Sequence, residues 1–197
     1  MTIDVYAADE QTAEPVELSR WATLARRVLD SRGITGPAEV SLLFVDEESM
    51  AALNQQFLER AGPTDVLAFP IEDEPTSSGR SPDSGGPGPG TELVDVPLLL
   101  LGDVVICPAV ARRNAAAHGV AYEDELALLV VHGLLHLLGM DHEVEAEAQR
   151  MEQLERLLLS RLNTGGAAGA GVPGTGVPDA GPPDAGVPGA GPPGSGA

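Results

Sequence analysis

Between Leu126 and Met140 the chain runs without an acid or an arginine, LALLVVHGLLHLLGM, and leucine and valine fall on nearly every side of the helix it would form. A helix that is apolar all round has to be packed on several sides. The run is also shorter than the roughly 20 apolar residues a bilayer crossing requires, so its packing partners must be other parts of a folded domain. The charges of this helix, Glu123, Asp124 and Glu125, gather in its first turn after Tyr122, and Gly139 marks its end.

The flanking sequence supplies suitable partners. Thr2 to Tyr6 alternates as an edge strand would, and Val16 to Arg32 repeats Leu18, Trp21, Leu24, Val28 and Leu29 at helical spacing before Gly33. Glu39 to Asp46 reads as a strand, and Asp46 is placed to cap a helix running through Met50, Leu53 and Phe57. Val66 to Phe69 is a third strand stopped by Pro70, and Leu98 to Cys107 a fourth, in which Gly102 predicts a bulge or a close approach. A short helix over Pro108 to His118 and an amphipathic helix over Val144 to Leu162 complete the set.

Strands and helices alternate without a steady βαβ repeat. The expected fold class is therefore α+β, a small mixed sheet of about four strands with flanking helices, and not a doubly wound sheet. The domain spans 1–163, with an insertion at about 72–96 rich in Ser, Gly and Pro. Residues 164–197 form a Gly/Pro/Ala-rich tail without aromatics or long aliphatics, which cannot bury enough apolar surface to offset its chain entropy.

A net charge of −19, with 30 acids against 11 basic residues that are all arginine, argues against a general nucleic-acid coat. The exclusive use of arginine reads as codon bias, since the residues are scattered. A local site whose positive charge comes from a metal is still allowed. Cys107 is the only cysteine, so no intramolecular disulfide can form, and the acidic N-terminus does not resemble a signal peptide. A cytoplasmic location is expected.

Three of the four histidines fall in VHGLLHLLGMDH, at His132, His136 and His142. On a helix His132 and His136 share a face one turn apart, so both imidazoles can reach one ion at about 2.0 to 2.1 Å. A chain reversal at Gly139 lets His142 approach the same ion. Three nitrogens with an open fourth position describe a catalytic Zn2+ rather than a closed structural one. The competing interpretation is a pair of satisfied core or helix-surface histidines. Burial of the helix weighs against it, because unpartnered buried imidazoles cost roughly 1 to 3 kcal/mol each. Gly133, which costs about 1 kcal/mol relative to alanine in a helix, also calls for a close neighbour or a substrate above it. The spacing matches the metzincin proteases at each histidine and at Gly139, but their general-base glutamate is replaced by Gly133, which disfavours peptide hydrolysis.

The run His132-Gly133-Leu134-Leu135-His136-Leu137-Leu138-Gly139-Met140-Asp141-His142 resembles H-G-x-L-H-L-x-G-x-D-H of the YbeY family of bacterial endoribonucleases. Thr64 to Pro70 (TDVLAFP) and Leu101 to Val105 (LGDVV) resemble two further motifs of that family in the same order, and Asn54 and Phe57 fall where it has L-N-x-x-[YF]. The resemblance covers roughly Ile3 to Leu162. It implies a zinc on the long apolar helix, in a zincin-like arrangement, and cleavage of single-stranded RNA. It also implies maturation of the 3′ end of small-subunit ribosomal RNA, a part in ribosome quality control, and the small ribosomal subunit or its proteins as partner. Many members carry an arginine directly after the aromatic, implied to bind RNA phosphate. Leu58 stands there in this chain, and Arg60 is the nearest substitute.

The candidate catalytic residues are Asp141, as a shuttle or a support for a ligand with capping of the helix end as the alternative, and Arg60. Arg112 and Arg113 are candidate substrate contacts, against the alternative of a solvated helix face. Asp65 and Asp103 fit turn capping as well as function, and His118 fits a helix C-terminus. From a different class comes an assembly factor with a structural zinc closed by Asp141, Glu143 or Cys107. A zinc peptidase with a base recruited from elsewhere is the third possibility.

Overall fold

In a computed structural model the described residues are 2–71, 98–140 and 144–162. The expected insertion and tail lie outside them. Strands β1 (Ile3–Asp9), β2 (Ala38–Phe44), β3 (Val66–Pro70) and β4 (Leu99–Ile106) form one sheet in the order β1-β2-β4-β3. β1, β2 and β4 run parallel and β3 antiparallel to β4, which leaves β1 and β3 as the edges. The sheet is therefore mixed and four-stranded, as the sequence predicts.

The helices are α1 (Leu18–Ser31), α2 (Glu47–Leu58), α3 (Pro108–His118), α4 (Tyr122–Leu137) and α5 (Glu145–Leu162). Asp46 caps α2 by accepting from the Ser49 amide at 2.8 Å. Pro108 opens α3, where its missing N–H goes unneeded.

Alternation along the strands sorts the core into two layers. Val40, Leu42, Phe44, Val104 and Ile106 face α1, α4 and α5 in the main cluster. Leu43, Val45, Leu67, Phe69 and Val105 face the other way and meet Met50 and Leu53 of α2. α4 lies against the sheet, with Leu126, Val130, Val131, Leu134 and Leu135 no more than 1% exposed. Burying each such side chain contributes roughly 1.5 to 3 kcal/mol. None of the helices among the described residues is long and apolar enough to cross a membrane.

Two glycines report close approaches. Gly102, at φ +122, backs onto the Phe69 carbonyl of β3, and the β2–β4 register slips beside it between Glu39 and Val40. Both the bulge and the close approach expected at Gly102 are present. Gly133 of α4 lies against Val104 of β4, so its close neighbour is a side chain of the sheet. The same contact leaves no room for the metzincin glutamate at this position.

Candidate metal centre

Beyond its first turn, α4 meets solvent only along Leu128, His132 and His136, an i, i+4, i+8 stripe. The two imidazoles are therefore half-buried. The burial assumed for them from the apolar helix is corrected here, because α5 and the sheet leave this one stripe uncovered. Their Nε2 atoms converge to 3.0 Å, with ring centroids 4.6 Å apart and planes at 76°. Two nitrogens bound to one tetrahedral ion at 2.0 to 2.1 Å lie about 3.3 Å apart, so the pair fits a shared cation.

The chain turns sharply just after them. Gly139, at φ +79, donates its amide to the His136 carbonyl at 2.9 Å, and Met140 donates to Leu135 at 3.0 Å. This pair of bonds ends the helix in a Schellman turn, as Gly139 predicts. Asp141, His142 and Glu143 lie outside the described residues. Among the described residues no group of three or more His, Cys, Asp or Glu is placed to hold a metal ion.

A further participant escaped the sequence reading. Glu155 of α5 places Oε1 2.7 Å from Nδ1 of His132. It occupies the buried stripe of α5 between Met151 and Leu158 and is itself only 8% exposed. A carboxylate at a core position of an amphipathic helix is a signal legible in sequence, but its partner, 23 residues away on another helix, is not.

A second polar group surrounds the start of α4. Asp65 accepts from the Val66 amide at 2.9 Å and, through its other oxygen, from Asn114 Nδ2 at 2.9 Å, which ties the start of β3 to α3. Glu125 is buried, and that burial pushes its carboxyl above the usual range; His118 Nδ1 lies 3.5 Å from it. Asp103 borders a shallow hollow on the sheet face, together with Tyr6, Glu39 and Ser41.

The arginine candidates differ in their surroundings. Arg112 bridges Glu14 at 2.7 Å and stacks 3.6 Å from the centre of the Tyr122 ring, and Arg113 bridges Glu47 at 2.7 Å. Arg60 follows the left-handed Glu59 at the end of α2, its amide held by the Asn54 carbonyl. Its side chain is exposed and has no ion-pair partner among the described residues. Cys107 packs with Val45, Met50, Leu67, Val105 and Val110 on the far face of the sheet from α4, and burial pushes its thiol up. It is not among the groups that converge with the imidazoles.

A family model described as Endoribonuclease YbeY matches residues 6–163. The chain belongs to the Endoribonuclease YbeY family. It is 41% identical over 161 residues to the Endoribonuclease YbeY of Thermobifida fusca, covering 81% of this chain and 93% of that one. The Frankia alni YbeY is 40% identical over 177 residues, covering 84% and 92% of the two chains. That of Beutenbergia cavernae is 42% identical over 144 residues, covering 73% and 87%. The solution structure of TM1509 from Thermotoga maritima matches with a TM-score of 0.49 at 22% identity, over 82% of this chain and 93% of that one. The YbeY match takes in every described element from β2 to α5, and therefore both imidazoles and Glu155.

Proposed function

We propose that the chain is a zinc-dependent endoribonuclease that cleaves single-stranded RNA and acts in maturation of the 3′ end of small-subunit ribosomal RNA and in ribosome quality control. Membership of the Endoribonuclease YbeY family gives the reaction class, a hydrolase acting on RNA. The observation that carries the metal part is the 3.0 Å convergence of two Nε2 atoms on the solvent-facing stripe of an otherwise buried helix. His132, His136 and His142 would hold one Zn2+, a zincin-like arrangement. Bound there, the ion would supply Lewis acidity to a phosphoryl oxygen of the substrate and to the attacking nucleophile, water or a 2′-hydroxyl.

The protein side of the reaction falls to the neighbouring residues. Arg60 is the first candidate for a phosphate contact, because its charge is unopposed among the described residues. Arg112 and Arg113 would contact substrate only by giving up Glu14 and Glu47. Asp141 is the candidate for moving a proton or supporting a ligand. The small ribosomal subunit or its proteins is the proposed partner, and the cytoplasm the proposed location. Peptide hydrolysis is the poorer reading, since Val104 fills the space a glutamate at position 133 would need.

Elemental analysis and cleavage of labelled single-stranded RNA on one preparation of the full chain test this function. The expected result is about one zinc per chain, cleavage abolished by chelator, and intact casein in parallel. RNA cleavage that persists in a metal-free His136→Ala protein overturns it.

A further inference from the structure

We infer that Glu155 is a positioning residue: its carboxylate, 2.7 Å from Nδ1 of His132, holds that imidazole as the Nδ1–H tautomer and turns its Nε2 lone pair toward Nε2 of His136. The inference rests on the metal-site reading for its purpose, and on the geometry of the chain for its content.

The contact is short for N–H···O, in the range of charge-assisted hydrogen bonds. A carboxylate only accepts when ionised, so the hydrogen in this bond must come from Nδ1 of the ring. In neutral imidazole the other nitrogen is then bare, and it is that nitrogen which faces His136. Glu155 is otherwise misplaced. It interrupts the apolar stripe of Met151 and Leu158, where leaving an isolated carboxylate out of water is costly. The partner that offsets this cost is the imidazole.

His132 is thus braced from a separate helix, α5. An acceptor behind a ligating imidazole raises its basicity and fixes its ring plane, and removing such an acceptor typically lowers metal affinity about 10- to 100-fold.

Two measurements on the full-length protein test this, using wild type, Glu155→Gln and Glu155→Ala. Long-range 1H–15N NMR on metal-free protein at pH 8 reads the tautomer of His132. The expected result is Nδ1–H in wild type and a mixture of tautomers in Glu155→Ala; Nε2–H in wild type overturns the inference. Competition with a chromophoric chelator reads zinc affinity, with a loss of about 10- to 100-fold expected in Glu155→Ala and a smaller loss in Glu155→Gln, whose amide oxygen can still accept. Variants that bind zinc within twofold of wild type overturn the positioning role and leave the metal site standing. A wild type that shows the Nδ1–H tautomer yet takes up no zinc overturns the metal site and leaves the tautomer assignment standing. The near-isosteric Glu155→Gln covers the case in which Glu155→Ala fails to fold.

Discussion

Gly133 of α4 and Val104 of β4 are in such close contact that a Cβ on the glycine would come within 3.0 Å of a valine methyl carbon. The glycine next to the first histidine is thus a packing requirement of the helix on the sheet. Gly133→Ala adds a methyl to a filled interface at a cost of about 1 to 3 kcal/mol, offset by about 1 kcal/mol of better helix propensity. A net loss of stability is expected, and adding Val104→Ala to the same chain should recover part of it. Urea melts of the two single variants and the double variant check the coupling, and simple additivity would show that the contact is not the cause.

Tyr122 is 4% exposed, its hydroxyl donates to the Pro15 carbonyl, and burial pushes its phenol up to about 12. The unfolded phenol ionises near 10.0, so the folded state holds this proton more tightly. The linked stability is complete below pH 10, and it is lost as pH rises toward 12. Absorbance titration of a Tyr6→Phe protein, in which Tyr122 is the remaining phenol, should show ionisation near 12. In Tyr122→Phe the loss of stability in this window should be smaller.

Glu125 follows the same rule at the other end of the scale. Its carboxyl is raised above 4.5, chiefly by burial and against the pull of His118. The folded state therefore favours the protonated form, and stability falls as pH rises through the folded value. Glu125→Gln should be more stable than wild type at neutral pH, and the difference should vanish below about pH 4.5. Denaturant midpoints measured across pH 4 to 8 test the sign, and a wild type more stable than the variant at pH 8 contradicts it.

The arginines should separate by function and by packing. Arg60→Ala is expected to raise KM for single-stranded RNA while leaving the melting temperature unchanged. Arg112→Ala, which loses both the Glu14 bridge and the Tyr122 stack, is expected to cost about 1 kcal/mol of stability. Steady-state kinetics and thermal melts on both variants check this, and an Arg60→Ala protein with unaltered KM removes Arg60 from the substrate contacts.

Much of this molecule could be read from its sequence because the signals were local. α3 begins and ends where Pro108 and Gly119 say it should, Asp46 caps α2, and Gly139 reverses the chain after His136. The spacing of His132 and His136 states their convergence directly, since helical geometry alone brings them together. What escaped was non-local. No local pattern says that β4 is inserted between β2 and β3, or that α5 would leave the stripe of Leu128, His132 and His136 open. Glu155 was missed because its role is decided by an imidazole on a different helix.

That separation along the chain imposes an order of assembly. A growing polypeptide presents both imidazoles before the acceptor for His132 has been made, and that acceptor meets its ring only where α5, synthesised later, packs on α4. Should the pair of imidazoles hold an ion as proposed, the carboxylate that aims one of its ligands comes from the last of the described helices to be made.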